Sequence, residues 1–483
     1  MPYPFGDHGE RRMTDQGPSF RAPMSPSVSS WFGFFPEFRK DSLGFLLHCH
    51  QYGNVVKLPM GRLAALLLRQ HDPAIYLLTH PDDIRHVLVT NQANYTKAPV
   101  PPVESKIFGT GVLHSEGEQH HQQRRLFLPF FHSDHVTSFT GLITAQAARQ
   151  VESWPDGATI DIGYEMTRLT LTVICRFLFG EGVDLDTEEL VATITTGQEL
   201  IKLQYDSVLA RVTPLWVPTR LRREFARRHR RLDAVIRRTI RERRSAPTQD
   251  GTLLAFLLSA TDGEGCPLDD EQIRDHLMTF LLAGHETTAN ALTWTWLLLS
   301  QWKTARTTLA QEVQTVLGGH LPGVTDMAQL RYTTMIWEET LRLYPPAWLL
   351  HTRLCLLADR LPSGMLLPQG SRVFISPWSL HRNSRWFPDA NRFDPDRFSE
   401  EAKRSRPSFT YLPFGAGGRR CLGESFANLE GVLILATVAS RVQLRLVEGQ
   451  TIRPNPLMTL RPDAPVWMTV HSVSDHEAGP NSG

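Results

Sequence analysis

Residues 413–424 read PFGAGGRRCLGE and carry the strongest structural signal in the sequence. The glycines allow the backbone to turn tightly and to approach a flat partner closely. Cys421 precedes an apolar, helical run at 425–438, where backbone N–H groups and the helix dipole favour a thiolate over a thiol. Arg419 and Arg420 add positive charge, which favours the thiolate and can also bind a carboxylate. A thiolate in such a loop suits the axial position on haem iron, where it promotes O–O cleavage.

Other glycine-rich motifs fit this loop less well. A dinucleotide-binding G-x-G-x-x-G would need glycine at position 420, where Arg420 stands. A phosphate-binding loop would need a Gly-Lys-Ser/Thr ending, which is absent. A nucleophilic cysteine in a glycine-rich turn remains as the alternative, and the spacing favours the haem ligand.

The composition is that of an ordinary globular protein. The 483 residues carry a net charge of +1, which gives no indication of nucleic acid or an anionic membrane as a partner. The apolar stretches are too short to span a bilayer, and the N-terminus lacks the apolar run of a signal peptide. We therefore expect a cytoplasmic protein with no membrane span. The five cysteines include no C-x-x-C pair, and four of them are expected to be inert buried thiols.

The chain is predicted to contain one large domain. A loosely ordered arm rich in Pro, Ser and Gly is expected at 1–34, a single catalytic domain at 35–475 and a short tail at 476–483. No internal repeat or long linker suggests a further boundary. The pattern is mainly helical from about Glu116 to Arg342, and the fold class expected is mainly α with small β-sheets. Strand signals occur at 54–58, 74–79, 365–376, 442–446 and 466–470.

One predicted helix is unusually long. It extends from Asp270 to Trp302 without proline, begins with a plausible capping box of Asp269 and Gln272, and would be about 45 to 50 Å in length. Its middle, AGHETT at 283–288, is small and polar where a buried helix should be apolar. Glycine and adjacent threonines weaken local helical hydrogen bonding and can open the ladder. A core-spanning helix with such a centre is expected to leave room there for another group.

In these segments and in two further motifs, the sequence resembles the cytochrome P-450 haem-thiolate monooxygenases of the soluble bacterial type, from about residue 35 to 470. The family signature Phe-x-x-Gly-x-Arg-x-Cys-x-Gly is matched in full by Phe414, Gly417, Arg419, Cys421 and Gly423. Three further motifs follow the family order: the oxygen-binding helix (Ala283, Gly284, Glu286, Thr287), the Glu-x-x-Arg pair (Glu339, Arg342) and the Phe-x-Pro-x-Arg-Phe segment (Phe393, Pro395, Arg397, Phe398). The resemblance implies haem b held between the long central helix and the cysteine-loop helix.

The same resemblance assigns roles around the haem. Cys421 would be the axial iron ligand, Phe414 would shield its sulfur, and Gly423 would allow close approach to the porphyrin. The propionate contacts implied by family position are Arg419, His120, Arg124 and His381. The family commonly has a further propionate-binding arginine where this chain has Thr352, and whether the neighbouring Arg353 replaces it stays open.

On the oxygen side, Thr287 would hydrogen-bond bound oxygen or an ordered water, and Glu286 would relay protons from solvent. The alternative is structural: a threonine bonded back to its own helix and a buried acid. Glu339, Arg342 and Arg397 would form a buried ion network that serves fold and haem retention.

Two other interpretations are rejected at this point. His285 beside Glu286 suggests a zinc protease, but H-E-x-x-H needs histidine at 289, where Ala289 stands. The arginine-rich stretch at 220–244 suggests an anionic polymer, but apolar residues at 232, 235, 236 and 240 recur at helical spacing. A solvated amphipathic helix is expected there, and in the family this region roofs the substrate pocket.

Apolar residues at the family's pocket positions predict a lipophilic substrate, such as a terpenoid, fatty acid or polyketide, which would be hydroxylated or epoxidised in secondary metabolism. The pocket is expected to include Val100, Val103, Phe280, Ala283, Trp348, Leu349 and Met458.

Electrons are expected from a separate ferredoxin or flavodoxin with its reductase, and the protein is expected to be a monomer. Two other functions stay open. One is a haem-thiolate enzyme that catalyses coupling, rearrangement or peroxide-driven oxidation, and the other is a haem-based sensor without catalysis.

Overall fold

Helices make up most of the structure, and short strands form small sheets beside them. The computed structural model describes residues 24–27, 31–68, 74–100, 102–181, 187–206, 213, 217, 219–248 and 250–473. The predicted arm at 1–34 lies mainly outside these residues, and the predicted tail at 476–483 lies wholly outside them. Phe34, at the end of the arm, is fully buried, and its N–H donates to the carbonyl of Pro59 at 3.0 Å. The packed chain therefore begins before residue 35.

The α-helices are numbered in chain order as α1 (Phe35–Lys40), α2 (Ser42–His48), α3 (Gly61–Leu68), α4 (Pro81–Arg85), α5 (Pro102–Phe108), α6 (Gly117–Phe127), α7 (Ser133–Thr137), α8 (Thr140–Glu152), α9 (Ile162–Phe179), α10 (Thr187–Asp206), α11 (Arg220–Ser245), α12 (Leu253–Ser259), α13 (Asp270–Gln301), α14 (Lys303–Leu317), α15 (Arg331–Leu343), α16 (Pro377–Leu380), α17 (Glu400–Ser405) and α18 (Glu424–Ala439).

The strands are β1 (Val55–Pro59), β2 (Ala74–Leu78), β3 (Tyr95–Lys97), β4 (Thr159–Asp161), β5 (Arg353–Cys355), β6 (Asp359–Arg360), β7 (Leu366–Leu367), β8 (Arg372–Ile375), β9 (Val442–Leu446), β10 (Pro454–Pro456), β11 (Leu460–Pro462) and β12 (Trp467–Ser472). The largest sheet has the order β1-β2-β8-β5-β3, and smaller sheets have the orders β4-β12-β9, β10-β11 and β6-β7. Each strand signal in the sequence overlaps one of these strands, which confirms a mainly α fold with small sheets.

The long central helix is confirmed as α13, and the capping box of Asp269 and Gln272 forms at its start. The helix is continuous from Asp270 to Gln301, so the opening of the hydrogen-bond ladder that glycine and adjacent threonines can cause does not occur here. Gly284 has a packing role instead: a Cβ on this residue would lie 2.8 Å from Cδ1 of Ile174 on α9. Glycine at this position therefore lets α9 pack closely against the middle of α13.

A buried ion network joins α15 to the segment that precedes α17. The Arg342 guanidinium donates to both carboxylate oxygens of Glu339, at 2.6 and 2.8 Å, and also to the carbonyls of His381 and Ala390. The Nε atom of Arg397 lies 3.7 Å from Glu339. Because the Glu339–Arg342 pair is wholly buried, removal of one partner would leave an uncompensated charge in the core. The network thus fixes the chain between α15 and the cysteine loop.

Glu430 on α18 is a buried acid without a counter-ion. It is fully buried, and neither carboxyl oxygen has a hydrogen-bond partner of normal geometry among the described residues. Burial raises the pKa of Glu430 from its ordinary 4.5 to about 8, although the Thr288 hydroxyl on α13 lowers it. The carboxyl is therefore neutral at neutral pH and lies between the helix that follows the cysteine loop and the central helix.

We predict that Glu430 makes the protein less stable as pH rises from about 5 to about 8. Its pKa is higher in the folded chain, so between the two pKa values the folded chain holds a proton that the unfolded chain releases. The free energy of unfolding should then fall by up to ~1.4 kcal/mol per pH unit relative to the Glu430→Gln variant, which cannot ionise. Urea unfolding of both proteins at several pH values measures this difference, and parallel pH profiles would contradict it.

Candidate active site

The cysteine loop (residues 413–423) is held against the segment at 86–94. Gly417 has φ +70°, and a Cβ on it would lie 1.8 Å from the carbonyl oxygen of Leu88. The N–H of Gly418 donates to Gln92 at 2.9 Å. Glycine at 417 therefore serves contact with protein backbone, which corrects the expectation that it approaches a flat partner. A Cβ on Gly423 would lie 4.0 Å from the Cys421 sulfur and within 4 Å of no other described atom outside its chain neighbours, so space remains beside the sulfur.

Cys421 faces a space inside the protein. Its N–H donates to the carbonyl of Phe414 at 2.9 Å, and the side chain is exposed. Burial of the surrounding region nevertheless raises the pKa of the thiol to about 11, against the lowering effects of the Gly423 N–H and Arg124. The prediction that the loop alone favours a thiolate is therefore wrong, because desolvation exceeds the helix and arginine contributions. A thiol in these surroundings ionises when a metal ion binds it.

A group of basic side chains, here called the basic cluster, lies beside this loop and consists of Lys97, His120, Arg124, Arg353 and Arg419. Lys97 and Arg353 are paired across the antiparallel strands β3 and β5. Arg419 donates to Ser115 at 2.7 Å, and Arg124 donates to the carbonyl of Arg420 at 2.7 Å. The sequence predicted His120, Arg124 and Arg419 at this place and left Arg353 open. It missed Lys97, which no quoted motif contains.

The basic cluster has more positive than negative charge. The Glu116 carboxylate lies between two of these side chains, 2.7 Å from Arg419 and 3.8 Å from Lys97. Burial and, to a smaller extent, the positive charge of Arg419 lower the pKa of Lys97 to about 7 and the pKa of Arg353 to about 10. Burial and the same arginine lower the pKa of His120 to about 3. His120 is therefore neutral at neutral pH, whereas an anionic ligand would favour the charged forms of Lys97 and Arg353 and raise their pKa values.

Unpartnered polar atoms lie in the same region. Nε2 of His351 and Oγ of Ser115 are buried and have no hydrogen-bond partner among the described residues. Together with the excess of cations they suit a ligand that carries carboxylates, and Cys421 suits one that carries a metal ion. Haem, with its iron and two propionates, meets both requirements, so the residues present fit the cofactor.

His381 lies apart from the basic cluster. It is fully buried, its Nε2 accepts the N–H of Leu412 at 2.8 Å, and its Nδ1 lies 3.2 Å from the carbonyl of Arg342. Both ring nitrogens are thus engaged by backbone groups, which leaves none for a propionate. The geometry therefore places His381 in the structural network of α15 and removes it from the candidate cofactor contacts.

The middle of α13 has one open face. Ala283 is exposed and Thr287 half-buried, whereas Leu281, His285 and Thr288 around them are buried. The Thr287 hydroxyl donates to the carbonyl of Ala283 at 3.0 Å, which is the back-bonded arrangement considered as the structural alternative. A small side chain at 283 keeps the space beside the threonine free.

An apolar pocket lies between α5, α10, α11 and α13. Apolar side chains dominate its wall, with a few polar groups that include Glu286 of α13. The lining residues are Ile107, Phe108, Thr193, Ile194, Gly197, Gln198, Ile201, Phe225, His229, Leu232, Met278, Leu282, Glu286 and Met458.

The predicted pocket residues divide into three groups. Met458 lines the pocket, and Val103 packs in the cluster of Ile107 and Phe108 that borders it. Phe280, Trp348 and Leu349 pack in hydrophobic cores and lie outside the lining of this pocket, so their place in a substrate pocket stays a prediction. Val100 is half-buried and outside the lining. The lining residues of α10 were missed, and α11 was named as a roof without its individual lining residues, because an apolar residue on an amphipathic helix has the same pattern whether it faces a core or a ligand.

The arginine-rich segment forms the amphipathic helix α11, as predicted. Its inner face, which includes Phe225, Leu232 and Ile236, is buried. Several of its arginines pair with acids of other helices, as Arg228 does with Glu189 at 2.5 Å. Within the described part of the chain, no cluster of three or more histidine, cysteine or acidic residues could hold a metal ion. No helix among these residues combines the length and the apolar character needed to cross a membrane.

Several known proteins are similar to this chain in sequence or in architecture. The chain is 34% identical over 459 residues to cyclooctatin synthase from Streptomyces melanosporofaciens, which covers 93% of this chain and 96% of that protein. It is 31% identical over 451 residues to pentalenene oxygenase from Streptomyces avermitilis, which covers 92% and 95%. The crystal structure of the cytochrome P450DA heme domain has the same fold, with a TM-score of 0.80 at 23% identity over 94% of this chain and 98% of that one.

The family description Cytochrome P450 matches residues 24–468, nearly the whole chain. This match agrees with the four ordered motifs, with the interior thiol and with the basic cluster. The resemblance seen in the sequence and the haem cofactor it implied are both confirmed. The chain therefore belongs to the cytochrome P450 family and is a haem-dependent monooxygenase.

Proposed function

We propose that this P450 inserts an oxygen atom into a terpenoid in secondary metabolism. The observation that carries the proposal is the apolar lining of the pocket against α13, which suits a hydrocarbon skeleton with few polar groups. The relatives described above are named for cyclooctatin and pentalenene, and both align over more than 90% of the chain. A terpenoid is thus favoured over a fatty acid or polyketide.

We infer that Cys421 binds the haem iron and that the basic cluster binds the propionates, with Arg353 in place of the arginine that the family commonly has at position 352. Bound haem supplies the chemistry that activates O2 with electrons from separate redox partners, for which a ferredoxin or flavodoxin is proposed. The protein's own task at the open face of α13 is to hold a proton near the bound oxygen. The Thr287 hydroxyl can turn from the Ala283 carbonyl toward that space, and the Glu286 carboxylate can exchange protons with it.

The proposal is tested with purified holoprotein, a surrogate ferredoxin and reductase, and NADPH. A panel of sesquiterpene and diterpene hydrocarbons and alcohols, pentalenene included, is compared with lauric acid. We expect a low-to-high spin shift and a product heavier by one oxygen atom with members of the terpenoid panel. Turnover of lauric acid with no shift from any terpenoid would contradict the substrate class.

Replacement of Cys421 by alanine should abolish thiolate ligation. The reduced, carbon monoxide-bound protein should then lose the long-wavelength Soret band typical of a thiolate ligand, because that ligand is the side chain removed. Cys266→Ala, at an exposed cysteine outside the site, is the control and should keep the band. An unchanged spectrum in Cys421→Ala would disprove the ligand assignment.

Lys97→Met and Arg353→Met should each release haem faster. A hydrogen bond to a charged group contributes ~1.5–3 kcal/mol, so haem transfer to apomyoglobin should accelerate by about tenfold or more. Lys40→Met, at the exposed end of α1, is the matched control. Equal transfer rates in all three variants would remove these two residues from the propionate contacts.

Thr287→Ala should separate electron use from product formation. Without the hydroxyl, less of the consumed NADPH should appear as oxygenated product and more as hydrogen peroxide, by roughly tenfold or more for a group engaged in proton transfer. Thr287→Ser keeps the hydroxyl and should retain most of the coupling. Unchanged coupling in the alanine variant would show that the back-bonded arrangement seen here is its whole role.

A further inference from the structure

Glu286 is held by residues from two other parts of the fold. Its Oε1 accepts a hydrogen bond from the Thr459 hydroxyl at 2.5 Å, and its Oε2 accepts one from the side-chain amide of Gln198. Thr459 lies in the turn between β10 and β11, and Gln198 lies on α10, which walls the pocket. One carboxylate thus joins the central helix, the pocket roof and a hairpin.

The hydrogen bonds that reach Glu286 through Thr459 all run in one direction, from Asn290 to Thr459 and from Thr459 to the carboxylate. The Asn290 side chain, one turn beyond Glu286 on α13, donates to the Thr459 hydroxyl oxygen at 3.0 Å. A hydroxyl has a single proton, so with an amide donating to its oxygen that proton points to the carboxylate. The orientation of the donor to Glu286 is therefore set by a second residue of the same helix.

The Gln198 side is organised in the same way. Arg461, on β11, donates to the amide oxygen of Gln198 at 3.3 Å, which leaves the amide N–H₂ to face Glu286. Hydrogen bonds in series polarise one another, so both donors are strengthened at the carboxylate. Gln198, Thr459 and Asn290 are buried, which keeps water from replacing either donor.

We propose that Gln198 and Thr459 are positioning residues for Glu286, and that the proton path through Glu286 is complete only while α10 and the β10–β11 hairpin are closed onto α13. The inference rests on the proton role given to Glu286 in the proposed function. It adds that roof closure over a substrate and readiness to deliver protons are one event. A displaced roof helix would release one of the two donors and leave the carboxylate free to turn.

The test measures the rate of NADPH oxidation per haem with a surrogate ferredoxin and reductase, in the presence of whichever compound of the panel, terpenoid or lauric acid, gives the largest spin shift. We expect Glu286→Gln to lower this rate by about a hundredfold, because it removes the proton-transfer group outright, and Gln198→Leu and Thr459→Val each to lower it by about tenfold, because the carboxylate is kept but less well placed. Thr459→Ser keeps the hydroxyl and should restore the rate. Thr196→Val is the matched control on α10, because that hydroxyl donates to its own helix at Ala192.

Non-additivity separates positioning from general loss of structure. Because Thr459 acts through Glu286, the double variant Thr459→Val/Glu286→Gln should be no slower than Glu286→Gln alone. Hydrogen–deuterium exchange of residues 187–206 should rise in Gln198→Leu and Thr459→Val and stay unchanged in Thr459→Ser and Thr196→Val.

Two results would overturn the proposal in different ways. Additive losses in the double variant, or normal rates in Gln198→Leu and Thr459→Val beside a slow Glu286→Gln, would overturn the positioning role alone. A normal rate in Glu286→Gln would overturn the proton role of Glu286 and, with it, the inference that depends on that role.

Discussion

The desolvation of ionisable side chains at the two ends of one interior site is the constraint on which the rest of the structure depends. At one end burial raises the pKa of the Cys421 thiol to about 11, so the sulfur needs a cation beside it to ionise. At the other end burial lowers the pKa of Lys97 and of Arg353, so these side chains need anions. A cofactor with a metal ion at its centre and carboxylates at its edge satisfies both ends at once, whereas either end alone would favour unrelated ligands.

The fold brings these ends together from distant parts of the chain. The antiparallel pairing of β3 with β5 places Lys97 next to Arg353, although more than 250 positions separate them. The cysteine loop is fixed on one side by the approach of Gly417 to Leu88 and on the other by the ion network of α15. On another side of the site, the middle of α13 presents the small side chains of Ala283 and Thr287. The central helix thus carries Glu286 and Thr287, whereas the basic cluster draws its members from two strands, from α6 and from the cysteine loop.

The sequence predicted the elements whose signals are local. The cysteine loop, the capped central helix and the longer strands each follow from residues that lie close together in the chain, and the structure places them as expected. Lys97, Gln198 and Thr459 were missed because their roles arise from contacts across the fold, and a single lysine, glutamine or threonine has no pattern of its own. His381 was misassigned for a related reason, since its surroundings, with both ring nitrogens bonded to backbone, cannot be seen in the motif. The ionisation of Cys421 was misjudged because burial is a property of the folded chain.

Glu116 adds a consequence for how the protein matures. It hydrogen-bonds Thr96 and forms ion pairs with both Arg419 and Lys97, so it neutralises part of the basic cluster with a group that belongs to the chain itself. Like charges brought together in a poorly solvated region oppose folding. An internal counter-ion lets the polypeptide fold first and acquire its prosthetic group afterwards, and the incoming carboxylates then share cations that are already assembled. The protein can therefore mature in two steps, in which the chain folds first and binds its cofactor second.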